Sequence, residues 1–125
     1  MEVCDPYLSV HRTNNRIIFE YDETKTLTVA YDFEDTVYDP YNEGYIYPKL
    51  IELLRACKEA GFTLICCPQA QNEEFVAQYL DKKIIPYDAI ETNPKSYNVL
   101  LDDRAGLQQA VNSLRAVLSY HWSKP

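Results

Sequence analysis

Short apolar runs separated by stretches of helical period constrain this chain more than any other feature. TLTVAYDF (26–33), FTLICC (62–67) and YNVLLDD (97–103) are too short for buried helices and apolar enough for strands covered on both faces. KIIPYDAIE (83–91) holds a further short strand, which Pro86 places near an edge or an end. Ahead of them, after a polar and irregular segment 1–15, RIIFEY (16–21) reads as a strand followed by a turn-like DETK. Between the runs, Leu50, Leu53, Leu54 and Cys57 recur at helical spacing, behind Pro48 and before Gly61. Phe75, Val76, Tyr79 and Leu80 mark a helix over 72–81, and Leu107, Ala110, Val111, Leu114 and Val117 mark the last one. YDPYNEGY (38–45) is a loop by its Pro, Asn and Gly content. Alternating strands and helices pair in parallel through right-handed crossovers. The expectation is one α/β domain with a doubly wound, mostly parallel sheet: a core over 26–118 behind an N-terminal extension, 1–25, that carries a β-strand.

Charge narrows the function classes. A formal net charge of −7, with 12 Lys and Arg in no dense run, argues against broad nucleic-acid binding. No stretch approaches the ~18 apolar residues of a membrane span, and the first residues lack a signal-peptide layout, so a cytoplasmic location is expected. Cys4, Cys57, Cys66 and Cys67 form no CxxC, and adjacent strand residues face opposite ways, so the cysteines read as free thiols rather than zinc ligands. A Cys-x5-Arg phosphate loop at Cys67 fails, because Glu73 stands where the Arg belongs. His11 and His121 are isolated, and Trp122 reads as a packing anchor. Eleven tyrosines hint at contact surface.

In open parallel sheets, ligands gather at the carboxyl ends of strands, where strand order reverses. One candidate strand ends in Asp32-Phe33-Glu34-Asp35-Thr36, and another in Asp102-Asp103, with Lys95 just before the latter strand. Carboxylates gathered at one rim repel each other, and a hard cation relieves this; Mg²⁺ favours one or two carboxylates, waters and phosphate oxygens.

These strings resemble motifs of the haloacid-dehalogenase-like (HAD) hydrolase superfamily. DFEDTV after an apolar strand is similar to its first motif, VLLDDRAGL (99–107) to its acidic fourth motif, and Lys95 sits at a third-motif position. The resemblance spans about residues 26 to 118, and implies a Rossmann-like core of the small, capless kind. It also implies a Mg²⁺-dependent phosphohydrolase working through an aspartyl-phosphate on a phosphorylated small molecule or macromolecule. Asp32 is then the nucleophile and a metal ligand, with Asp102 or Asp103 and the Glu34 carbonyl as further ligands. Asp35 and Thr36, through the amides of the turn 33–36 and the Thr36 hydroxyl, bind phosphate, and Lys95 offsets the charge.

Glu34 stands where the family's acid–base Asp is usual, and Cys67 where a phosphate-binding Ser or Thr is usual. A thiol donates poorly, and a misplacement of ~1 Å costs on the order of a hundredfold in rate. Three readings stay open: a working phosphatase, a slow one, and a degenerate domain that binds phosphate or a protein partner without turnover. A response-regulator-like phosphoacceptor ranks last, because its acidic pair precedes the acceptor. Residues 37–48 leave room for only a small flap, flanked by Tyr38, Tyr41, Tyr45 and Tyr47, for which packing is weighed against stacking on a ligand ring. Residues 16–21 are expected to cover a sheet edge or to serve a dimer contact, so a homo-oligomer is among the expected assemblies.

Overall fold

Residues 10–104 and 107–123 are described in a computed structural model of the chain; Cys4 and the segment 1–9 lie outside them. The order is α1 (Val10–Thr24), β1 (Thr28–Asp32), α2 (Pro48–Glu59), β2 (Thr63–Cys67), α3 (Glu73–Lys83), β3 (Ala89–Ile90), β4 (Val99–Leu101) and α4 (Leu107–Trp122). The four strands form one sheet in the order β3-β2-β1-β4, and every pairing is parallel. Direction reverses beside β1, whose neighbours are β2 on one side and β4 on the other.

The N-terminal strand expected at 16–21 is a correction: the segment lies within α1. Six residues of RIIFEY fit both periods, and burial separates them. A strand would turn Ile17, Phe19 and Tyr21 to one face, whereas a helix groups Ile17 with Tyr21 and leaves Phe19 aside. Ile17 and Tyr21 are buried, and Phe19 is 65% exposed. Polar contacts to α4 concealed the helical stripe before it. Gln109 donates to the Thr13 hydroxyl at 3.1 Å, and Ser113 to Asn14 Oδ1 at 2.6 Å. An Arg16–Glu20 pair spans one turn.

The other elements fall near their expected places. Pro48 occupies the first turn of α2, which buries Leu50, Leu53, Leu54 and Cys57. Gly61, at φ +86°, takes the left-handed turn out of that helix. Asn72 caps α3 by accepting the Phe75 N–H at 2.8 Å. Only Ala89 and Ile90 of 83–91 pair as a strand.

One face of the sheet carries Val29, Tyr31, Leu64, Cys66, Val99 and Leu101, which join the helices in the main core. The opposite face carries Ala30, Ile65 and Cys67, with Leu100 packed against them. β3 and β4 sit at opposite edges, so the connection 91–98 crosses the sheet, and right-handedness takes it over this second face. Thr92, Asn93, Pro94 and Tyr97 line a cavity with Cys67 and Leu100. Asn98 ends the crossing: its Oδ1 accepts the Thr28 N–H at 2.7 Å, and its Nδ2 donates to Glu20 at 2.7 Å.

The helical assignment of 16–21 predicts unequal costs. Ile17→Ala should lose about 2–4 kcal/mol in chemical denaturation, while Phe19→Ser stays within about 0.5 kcal/mol. Equal losses would return the segment to a strand.

Candidate active site

Register brings the acids together. β1 and β4 pair Val29 with Val99, Ala30 with Leu100 and Tyr31 with Leu101. One step further, Asp32 meets Asp102 at the carboxyl ends of neighbouring strands, which lie about 4.8 Å apart. Asp103 follows, and oxygens of Asp32, Asp102 and Asp103 lie within 4.8 Å of one another. On its other side, β1 pairs Asp32 with Cys67.

The three carboxylates are differently placed. Asp32 is 3% exposed, and its Oδ1 has no hydrogen-bond partner among the described residues. Burial and then the charge of Asp102 push its pKa up to about 6. Asp102 is half-buried, but the Arg104 amide at 2.9 Å and the Arg104 guanidinium outweigh that burial and hold it below the usual range. Asp103 is exposed, yet desolvation and the Asp102 carboxylate raise it.

Arg104 is the cation of this site. Its guanidinium stands 3.9 Å from Asp32 Oδ2 and 3.4 Å from Asp102 Oδ1. Lys95, expected in that role, is exposed and lines neither cavity flanking Asp32. Its loop belongs to the crossing between β3 and β4, whereas Arg104 follows Asp102 by two residues. The pairing of Arg104 with an adjacent acid is legible in the string DDR; its reach to Asp32 needs the register.

Glu34 is engaged elsewhere than expected. Its Oε1 accepts the Gln69 N–H at 2.8 Å, and its Oε2 accepts those of Ala70 and Gln71 at 3.0 and 3.1 Å. Burial disfavours the charge, but these amides prevail and hold the carboxyl below its ordinary pKa. Within the turn after β1, the Asp35 amide donates to the Tyr38 carbonyl at 2.8 Å and that of Thr36 to the Phe33 carbonyl at 3.4 Å. These amides serve the turn, so the clustered amides are those of 69–71, and Glu34 fills them. Asp35, at φ +61°, lines the cavity over Asp32. The Thr36 hydroxyl is buried without a partner among the described residues, and Thr36 lines neither cavity. Cys67 is buried beside Asp32; burial and then the Asp32 charge push its thiol up to about 11, so it is neutral near pH 7.

Two cavities meet at Asp32. One, about 350 Å³, is bounded by the turn after β1, the flap and Arg104; the other, about 210 Å³, lies beside the 91–98 crossing. A larger cavity of about 470 Å³ surrounds Ile84, between α2 and the end of α3. There Arg55 is spent on the Lys83 and Ile84 carbonyls and Lys58 on Asp88, so it offers no comparable convergence of reactive groups.

No protein-family model, curated protein or solved structure matches this chain. Among the described residues, no helix is long and apolar enough to cross a membrane.

The buried Asp32 predicts a measurable penalty. The fold holds its proton up to about pH 6, while an unfolded Asp releases it near pH 4, so stability falls as pH rises between these values. Without divalent cations, Asp32→Asn should therefore be more stable at pH 8 by about 1 kcal/mol, after discounting for screening in an open cavity, and the gain should vanish at pH 4. Thermal unfolding at the two pH values checks this; a destabilised variant at pH 8 would contradict it.

Proposed function

We propose that the chain is a Mg²⁺-dependent phosphohydrolase of the haloacid-dehalogenase-like type, with Asp32 as nucleophile. The observation that carries this reading is the buried Oδ1 of Asp32, unpartnered among the described residues, beside two further carboxylates at a strand-order reversal. A donor set made wholly of carboxylate oxygens suits a hard cation, and Asp32, Asp102 and Asp103 would hold it. When bound, such a cation neutralises charge on the phosphate oxygens.

In the proposed reaction, an Asp32 oxygen bonds to phosphorus as the ester P–O bond breaks, and the leaving oxygen takes a proton from solvent, to which the attacking water of the second step returns one. Water then attacks the phosphorus of the aspartyl-phosphate. The bond to Asp32 breaks, phosphate departs with the water oxygen, and the carboxylate is restored. Arg104 lies near enough to Asp32 to offset charge on the transferring group, the part earlier expected of Lys95.

Glu34 favours a second reading. A carboxylate held by three amides and kept ionised is a poor proton donor in its present place, so the site can accept a phosphoryl group and release it slowly. In that case the domain is a phosphate-holding module rather than an efficient hydrolase.

An aryl phosphate with Mg²⁺ separates these readings. The hydrolase reading predicts many turnovers, abolished by chelation and reduced roughly a hundredfold or more in Asp32→Asn. The holding reading predicts one equivalent of product and a stable beryllofluoride adduct at Asp32. Phosphate release that survives Asp32→Asn in full would eliminate both.

A further inference from the structure

The flap that borders the site divides its four tyrosines. Tyr38 stacks on Phe33, with centroids 4.7 Å apart and planes at 12°, and meets Phe75 and Tyr79 edge-on. Tyr47 packs partly buried against the main core. Tyr41 and Tyr45 remain 76% and 62% exposed. Of the four, only Tyr41 lines the cavity over Asp32, which Pro40 and Arg104 also line.

The backbone holds Tyr41 there. Asp39 Oδ2 accepts the N–H groups of Gly44 at 2.8 Å and Tyr45 at 3.0 Å, and the Asn42 N–H donates to the Asp39 carbonyl at 3.4 Å. Burial opposes the Asp39 charge, but loop amides, that of Tyr41 included, hold its carboxyl below the usual range. An exposed aromatic on a loop organised in this way offers a flat apolar face with only its own side-chain torsions left to order.

The remaining lining limits what fits. Asp32, Glu34, Asp35 and Asp103 make the lining acidic, and Arg104 is the only cation among the described lining residues. One phosphate, neutralised by Arg104 and a divalent cation, is tolerated; a di- or triphosphate would meet uncompensated carboxylates. At about 350 Å³, the cavity is at the small end of ligand sites, suited to a phosphate and a ring rather than a long chain.

We propose that this cavity selects phosphate monoesters whose leaving group carries a planar ring, and that Tyr41 determines the preference by stacking on that ring. The proposal rests on the reading of Asp32 as the phosphoryl acceptor. Two sources share the chemistry: an aryl ester, with the ring on the ester oxygen, and a nucleoside monophosphate, with a sugar between.

The test uses the full chain with Mg²⁺ and compares kcat and KM for phenyl phosphate, uridine 5′-monophosphate and glycerol 3-phosphate. One or both ring esters should exceed glycerol 3-phosphate in 1/KM by about three- to tenfold, the scale of one aromatic stack, and the ester whose KM rises in Tyr41→Ala identifies the source. In Tyr41→Ala that ratio should fall toward one through KM, and Tyr41→Phe should restore it. Tyr45→Ala, on the same flap but outside the cavity, should leave it alone. Equal KM for all three esters, or a ratio indifferent to Tyr41→Ala, would overturn the stacking assignment while sparing the acceptor reading. No release from any ester, together with no beryllofluoride adduct at Asp32, would overturn both.

Discussion

The parallel pairing of β1 with β4 is the constraint on which the site depends. Asp32 and Asp102 are seventy positions apart in the chain, and neither has a local reason to approach the other. The ladder from Val29–Val99 to Tyr31–Leu101 leaves them no choice. Val29, Tyr31, Val99 and Leu101 all enter the main core, so the apolar burial that forms the sheet also drives the carboxylates together. Favourable packing of the strands thus sustains an unfavourable electrostatic arrangement at their ends, a pattern expected where a fold holds a functional site.

The acids around that meeting point are compensated in different ways. Asp102 has the amide and guanidinium of Arg104, and Glu34 has the amides of 69–71. Asp32 has less: the Phe33 amide, a distant edge of the same guanidinium, and an oxygen without a partner among the described residues. The Glu34 clamp has a further consequence. It ties the turn after β1 to the segment leading into α3, and so joins two parts of the lining of the cavity over Asp32. Its service as a brace and any service as a proton carrier draw on the same oxygens.

Much of the framework was legible in the sequence, because short apolar runs and helical periods are signals of burial. The helix behind Pro48 and before Gly61, and the acidic strand ends, fall where those patterns put them. The strand read at RIIFEY failed because six residues satisfy two periods, and because Thr13 and Asn14 of α1 meet α4 through polar groups that no hydrophobic pattern reveals. Site residues divide similarly. Asp32, Asp102 and Asp103 come together through register, which strand order supplies. The reach of Arg104 to Asp32 follows from the same register, whereas the place of Lys95 depends on how a loop crosses the sheet and the capture of Glu34 on amide directions in 69–71; neither of the last two has a counterpart in residue type or spacing.

The central claim is that Asp32, Asp102 and Asp103 share one hard cation. Crystals of the full chain grown with Mn²⁺, measured at the manganese absorption edge, test it most directly. The account predicts a single strong anomalous peak within coordination distance of Asp32 Oδ1 and of Asp102 or Asp103. Its loss in Asp102→Asn crystals would agree with that placement. A well-ordered site with Mn²⁺ in excess and no peak there, or a peak bound only elsewhere on the acidic surface, would contradict it.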